Sequence, residues 1–181
     1  MSAVYLIPAP LYEGQINCLP PSILDALKQC SVFFVENERT ARRFVKLLWK
    51  EIVIDHYEWY SMKEVTDETV AAFTEKLRQN KTIGILSEAG CPGVADPGQQ
   101  LVALAQQMNV PVRPLVGANV ILLALMASGM NGQQFQFVGY LPIEQAQRIK
   151  TIKSLEAESR QKACTQIFIE TPYRNNQLLE T

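Results

Sequence analysis

A single histidine, His56, and four widely spaced cysteines, Cys18, Cys30, Cys91 and Cys164, leave little from which to build a structural zinc site. No CxxC pair is present, and no metal centre is expected. Excess charge is missing too: 17 Lys and Arg stand against 18 Asp and Glu, for a formal net charge of -1. Any nucleic-acid or membrane affinity must therefore come from a local patch rather than from an overall field. The most apolar stretch, residues 120–126, is far shorter than the ~20 residues that span a bilayer. The N-terminus enters Val4-Tyr-Leu-Ile7 without a basic stretch and a long apolar run, so no signal peptide is expected. A cytoplasmic protein with reduced thiols follows from that expectation. Neither a Gly-Lys-Ser/Thr phosphate loop nor a GxGxxG fingerprint occurs, which disfavours ATP and NAD.

What is present belongs to a folded protein. With 181 residues, 48% hydrophobic and 19% charged, the chain is long enough for one large domain or two small ones. Short β-branched and aromatic runs at 4–7, 32–35, 52–55, 83–87 and 112–114 read as strands, with later ones near 135–139 and 166–170. Segments of helical period fill the gaps, so an α/β fold with a mostly parallel sheet flanked by helices is predicted. Helices are expected over 22–30, 37–49, 66–79, 97–108 and 119–128. In the second of these, Ala41, Phe44, Val45 and Leu48 share one face, and Arg39, Arg43, Lys46 and Lys50 the other. The 119–128 segment is apolar all round and is expected to be buried between layers. A polar, glycine-containing stretch at 130–134 reads as a linker, which sets domains at 1–131 and 132–181. The second part, about 50 residues and ending inside an apparent helix, is expected to be an incomplete mixed α/β domain.

The run Ser87-Glu-Ala-Gly-Cys-Pro-Gly-Val-Ala-Asp-Pro-Gly98 follows a buried strand and precedes a helix. Ligands of open α/β sheets bind outside the carboxyl ends of strands, and glycines let them approach the backbone. Alternatively, the glycines and prolines serve only to shape a long turn.

This loop resembles the signature of the tetrapyrrole methylase superfamily, and most closely that of its bacterial small-subunit ribosomal RNA cytidine 2′-O-methyltransferase group. Further segments match in order: Leu6-Ile-Pro-Ala-Pro10, Glu36-Asn-Glu-Arg39, Gly117-Ala-Asn119, Phe137-Val-Gly-Tyr-Leu-Pro142 and Phe168-Ile-Glu-Thr-Pro-Tyr-Arg174. The resemblance implies a two-domain fold, S-adenosylmethionine held between the domains largely by backbone groups, and a homodimer. Carried over residue by residue, it implies cofactor contacts at Pro8, Glu88, Ala89, Gly90, Pro92, Gly117, Ala118, Tyr140, Leu141, Glu170, Thr171 and Pro172. It further implies transfer to a ribose 2′-hydroxyl of ribosomal RNA. A small-molecule, tetrapyrrole-type acceptor and a non-catalytic cofactor-binding module stand as alternatives.

Departures from the group's pattern fall at Glu13-Gly-Gln-Ile-Asn-Cys-Leu-Pro20, at Asn37 where the group carries aspartate, and at Val116-Gly-Ala-Asn119. Glu36 and Arg39 are the catalytic candidates, since a neutral ribose hydroxyl needs a partner for its proton. Glu36 and Glu38 could equally be first-turn acids stabilising a helix dipole. Arg39, Arg43, Lys46 and Lys50 could hold RNA phosphates or form a solvated helix face. Cys91 reads as a small residue fitting the turn. His56 with Tyr57, Trp59 and Tyr60 could stack on a base, although core packing is the commoner fate of such a cluster.

Overall fold

Strands of two-residue period, each flanked by helices, organise the first of two compact units, which ends at Asn119. The computed structural model describes residues 2–12 and 14–181. Strands β1 (Val4–Ile7), β2 (Val32–Val35), β3 (Glu58–Ser61), β4 (Ile83–Leu86) and β5 (Val112–Pro114) form one sheet in the order β3-β2-β4-β1-β5. All four pairings are parallel. Successive side chains point to opposite faces, so each strand feeds two cores. Tyr5, Ile7, Phe33 and Val35 pack with Ile23 and Leu27 of α1 (Ser22–Gln29) and Ala41 and Val45 of α2 (Glu38–Leu48). Val4, Phe34, Ile83 and Ile85 pack with Phe73 and Leu77 of α3 (Asp67–Arg78) and Leu101 and Ala105 of α4 (Gly98–Gln107).

The strand expected at 52–55 is not formed. The chain makes a 3-10 turn over Ile54–His56 instead, and the strand comes at Glu58–Ser61. Only Ile52 of the expected run is buried with the core, while Val53 is 51% exposed. The later register sets Trp59 and Tyr60 opposite Phe33 and Phe34. Phe33 then stacks on Trp59 at 4.6 Å and Phe34 on Tyr60 at 4.9 Å, a larger cross-strand contact than the aliphatic run offers. The aromatic cluster near His56 is therefore part of the sheet's packing. Gly84 makes room for it, because a β carbon there would lie 2.8 Å from the Phe33 ring.

β1 and β4 are neighbours, yet β1 leads through α1 to β2 on one side, and β4 leads through α4 to β5 on the other. The two connections also cover opposite faces. In open α/β sheets, ligands bind outside the carboxyl ends of neighbouring strands whose connections run to opposite faces in this way.

The second unit, Val120–Thr181, contains α5 (Val120–Ser128), β6 (Phe135–Tyr140), α6 (Gln145–Lys162), β7 (Thr165–Ile169) and α7 (Asn175–Leu179). β6 and β7 pair in parallel through the α6 crossover. The segment before β6 is pinned by Asn131, whose side-chain oxygen accepts from the Gln133 and Gln134 N–H groups and whose carbonyl accepts from Thr165 Oγ1. The linker expected at 130–134 thus lies inside this unit. The expectation that 119–128 is buried fails: of α5 only Ile121 is buried, and Val120, Leu122, Leu123 and Met126 are exposed. A helix apolar all round needs neighbours on every side, and a two-stranded sheet with one long helix does not surround it. Among the described residues no helix is long and apolar enough to cross a membrane.

Candidate functional site

Three loops meet at the carboxyl edge of the first unit's sheet. The chain leaving β1 at Pro8 is joined to the loop after β4 by a two-bond bridge, Ala9 N–H to Gly90 O at 2.9 Å and Gly90 N–H to Ala9 O at 3.1 Å. Gly90 has a positive φ of +72°, and a β carbon there would press on the Leu11 side chain at 3.2 Å and the Ala118 carbonyl at 3.3 Å. The loop after β5 closes over Pro8 more tightly still. A β carbon on Gly117 would lie 2.2 Å from Pro8 Cβ and 2.5 Å from Pro8 Cγ, so only glycine fits. The Cys91 thiol donates to the Ala118 carbonyl at 3.5 Å, and burial raises its pKa. This supports a thiol that fits the turn rather than one made reactive.

Sequence reasoning passed over Asp96, which shapes the second half of the central loop. Its Oδ1 accepts from the Gly93 N–H at 2.9 Å and the Gly98 N–H at 2.8 Å, tying the loop to the first turn of α4. A β carbon on Gly98 would stand 3.0 Å from that oxygen. Burial pushes the Asp96 carboxyl up, and the two backbone bonds oppose the shift. An Asp followed two residues later by glycine is a recognisable turn signal that could have identified this residue.

The β2–α2 junction forms the other wall. Glu36 Oε2 accepts from the Glu88 N–H at 2.9 Å, so this catalytic candidate also holds the central loop. Asn37 caps α2: its side-chain oxygen accepts from the Arg39 and Thr40 N–H groups. Glu38 pairs with Arg42 at 2.7 Å, and the Arg42 guanidinium lies 5.5 Å from the Trp59 ring centre. Arg39, Arg43, Lys46 and Lys50 are all exposed along α2 and its end. Lys46 Nζ also donates to the Ile52 carbonyl at 2.7 Å, bracing the turn that follows the helix. Between α2 and the loops after β1 and β4 lies a cavity of about 400 Å³, walled by Leu11, Tyr12, Phe44 and Leu47, with Arg43 and Glu88 also lining it. Glu13, first residue of the departing stretch, is outside the described residues.

The structure thus brings together Pro8, Glu88, Ala89, Gly90, Pro92, Gly117 and Ala118, with Glu36 beside them and Arg39 on the first turn of α2. The remaining candidates belong to the second unit. Tyr140 ends β6 and is exposed, Leu141 is buried, and Gly139 takes a φ of +74° at a register shift in the strand pair. Glu170 accepts from the Thr171 N–H at 2.7 Å and from Arg174 Nη2 at 2.6 Å, and these contacts hold its carboxyl below the usual range. Its side chain therefore fixes the turn Pro172–Arg174 that follows β7.

Comparison with known proteins adds the family context. The sequence pattern of the family described as Tetrapyrrole (Corrin/Porphyrin) Methylases matches residues 4–180. A protein of Micromonospora olivasterospora named Ribosomal RNA small subunit methyltransferase I is 32% identical over 94% of this chain and 51% of its own length. Its namesake in Helicobacter pylori J99 is 32% identical over 98% of this chain and 64% of its own length. In Bacillus subtilis the corresponding figures are 31%, 99% and 58%. The chain therefore spans between about half and two thirds of these curated relatives. Among solved structures, the uroporphyrin-III-C-methyltransferase of Thermus thermophilus superposes with a TM-score of 0.51 at 21% identity, over 78% of this chain and 64% of that one.

Proposed function

We propose, starting from the fact that this chain belongs to the tetrapyrrole (corrin/porphyrin) methylase family, that it takes part in methyl transfer from S-adenosylmethionine to a ribose 2′-hydroxyl of ribosomal RNA. Methyltransferases of the family use this cofactor in general. The observation that carries the reading is the joining of three loops, Gly117 over Pro8 and Ala9 bonded to Gly90, at the point where β1 and β4 diverge. The residues present fit the cofactor, because Gly93 of the central loop has nothing within 4 Å of where a β carbon would stand, which leaves the backbone there open to a ligand. Pro8, Glu88, Ala89, Gly90, Pro92, Gly117 and Ala118 would hold it at the central loop. Bound there, it supplies an electrophilic methyl group on a sulfonium. The protein's task is then to orient the acceptor in line and to keep water away.

Glu36 suits the role of proton acceptor for the ribose hydroxyl. One of its oxygens accepts from the Glu88 N–H, which fixes the carboxylate against the loop it would serve, and a carboxylate has a second oxygen for the proton. Arg39 and the basic α2 face suit RNA phosphates, whose contacts position a nucleic acid whatever its sequence. An RNA acceptor is supported by relatives named for ribosomal RNA methylation. Action in the cytoplasm and, by family likeness, a homodimer go with it. Titration calorimetry with S-adenosylmethionine or its demethylated product, on the polypeptide as its gene encodes it, is expected to give binding heat. Labelled cofactor should mark small ribosomal subunits, with affinity for them falling steeply as salt rises. No heat with either ligand defeats the methyltransferase reading. Label in small-molecule extracts but not in rRNA defeats the RNA acceptor.

A further inference from the structure

Arg148, in the first turn of α6, is only 2% exposed, and among the described residues no carboxylate pairs with it. A buried cation costs more than an apolar side chain of similar volume, and more still without an anion beside it. Packing alone therefore does not account for arginine here. Its contacts do: Nη1 donates to the Ile143 carbonyl at 2.8 Å, while Nε and Nη2 donate to Thr181 Oγ1 at 3.3 and 3.1 Å. The rigid guanidinium fork serves both acceptors from one helix position, which a single ammonium or an apolar chain cannot do.

The two acceptors belong to the two segments that leave the second unit's sheet side by side. β6 and β7 are parallel, with Tyr140 opposite Ile169, so the chain after each starts from the same edge. Residues 141–144 lead from β6 into α6, and the turn Pro172–Arg174 leads from β7 into α7. Thr181, just past α7, is itself braced, since its hydroxyl donates to the Gln177 carbonyl at 2.8 Å. The first segment is pinned yet turns apolar side chains to solvent: Leu141 is buried, whereas Tyr140 and Ile143 are 57% and 76% exposed. Side chains held outward by a fixed backbone suit ligand contact, because a site works best when its geometry is set before the ligand arrives. Resting on the methyltransferase reading above, we infer that Arg148 is a positioning residue for the second unit's share of the cofactor site. It ties the segment after β6 to the segment after β7, so that Tyr140, Leu141, Thr171 and Pro172 are presented in one fixed arrangement. Arg148 touches no ligand in this role and acts through the Ile143 carbonyl and Thr181.

The test is amide hydrogen exchange without ligand, on the polypeptide as its gene encodes it, beside calorimetric titration with S-adenosylmethionine. Arg148→Met fills the same space and removes both contacts. Exchange should quicken at 141–144 and at 175–181 while β6 and β7 keep wild-type rates. Cofactor affinity should fall by about tenfold, because binding must then order segments that the wild type holds ready. Thr181→Val removes the hydroxyl alone and should quicken 175–181 with a smaller loss of affinity, whereas Thr181→Ser restores both values. Adding Thr181→Val to Arg148→Met should cost little further, as expected of two partners in one contact. The inference is overturned if Arg148→Met binds cofactor as tightly as wild type, if 141–144 and 175–181 exchange at wild-type rates, or if β6 and β7 quicken equally, since Arg148 would then be a core residue only. Should Arg148→Met fail to fold, wild-type exchange and affinity in Thr181→Val overturn it instead. A wild type that binds no cofactor defeats the methyltransferase reading and the inference with it, and the ligand-free exchange separates that outcome from failure of the tie itself.

Discussion

Gly117→Ala measures how closely the first and third loops approach. The added methyl group would sit 2.2 Å from Pro8 Cβ and 2.5 Å from Pro8 Cγ, both atoms of a ring fused to the backbone. Neither can swing aside as the end of a flexible side chain would, so one loop must move or the strain must remain. Overpacking of this kind costs about 1–3 kcal/mol. If the strain remains, the unfolding free energy of the first unit, read from urea titration, falls by that amount. If the loop after β5 lifts away, stability is largely recovered, and the loss should appear as a roughly 5- to 150-fold weakening of cofactor binding. Two other glycines calibrate the result. Gly93→Ala meets no atom within 4 Å but has a φ of +82°, so only the left-handed backbone cost of about 1–2 kcal/mol is expected. Gly132→Ala meets open space without a positive φ, and it should stay within about 0.5 kcal/mol of wild type. A Gly117→Ala protein with both wild-type stability and wild-type cofactor affinity would refute the close approach and the loop convergence built on it.

Three further outcomes follow from individual contacts. Asn37→Ala should lower stability by about 1 kcal/mol through loss of the α2 cap, while Asn37→Asp retains it; equal urea midpoints for the two variants would contradict this. Glu170→Gln should destabilise at neutral pH, because the native carboxyl is held below its usual value by the Thr171 N–H and by Arg174. A depressed carboxyl stabilises above its unfolded pKa and loses that contribution as pH falls through the folded value, so the gap from wild type should close below about pH 4. Burial pushes the Cys30 thiol up to about 12, and exposed Cys18 should therefore be alkylated well before Cys30 at pH 8, as peptide mass mapping would reveal.

The elements most legible in the sequence are those whose burial is decided locally. β1, β2 and β4 coincide closely with largely apolar, buried runs, β5 with the short run at 112–114, and the starts of α2 and α3 with Asn37 and Thr66. β3 was displaced because it is an edge strand. Its Glu58, Tyr60 and Ser61 carry polar atoms, whereas Ile52-Val-Ile54 carries none, so local hydrophobicity favoured the wrong segment. What selects Glu58–Ser61 is ring stacking on Phe33 and Phe34, a partner 26 positions earlier in register that no local window contains. The exposed α5 has the converse cause. Composition tells how much apolar surface a helix carries, but not whether the same unit holds enough layers to cover it.

At the site, sequence located the loops and left the work of individual side chains open. Asn37 makes the difference concrete. As a departure from aspartate it lacks a carboxylate, yet its amide oxygen accepts two N–H bonds at the head of α2, a task asparagine and aspartate perform about equally well. What the exchange removes is one negative charge at a helix N-terminus where Glu36 and Glu38 still stand on either side. Of these, Glu38 is paired with Arg42, whereas Glu36 reaches across to the Glu88 N–H of the central loop. The carboxylate that couples β2 to the central loop is therefore retained. The departure changes the charge at the head of α2 and leaves both the cap and this coupling in place.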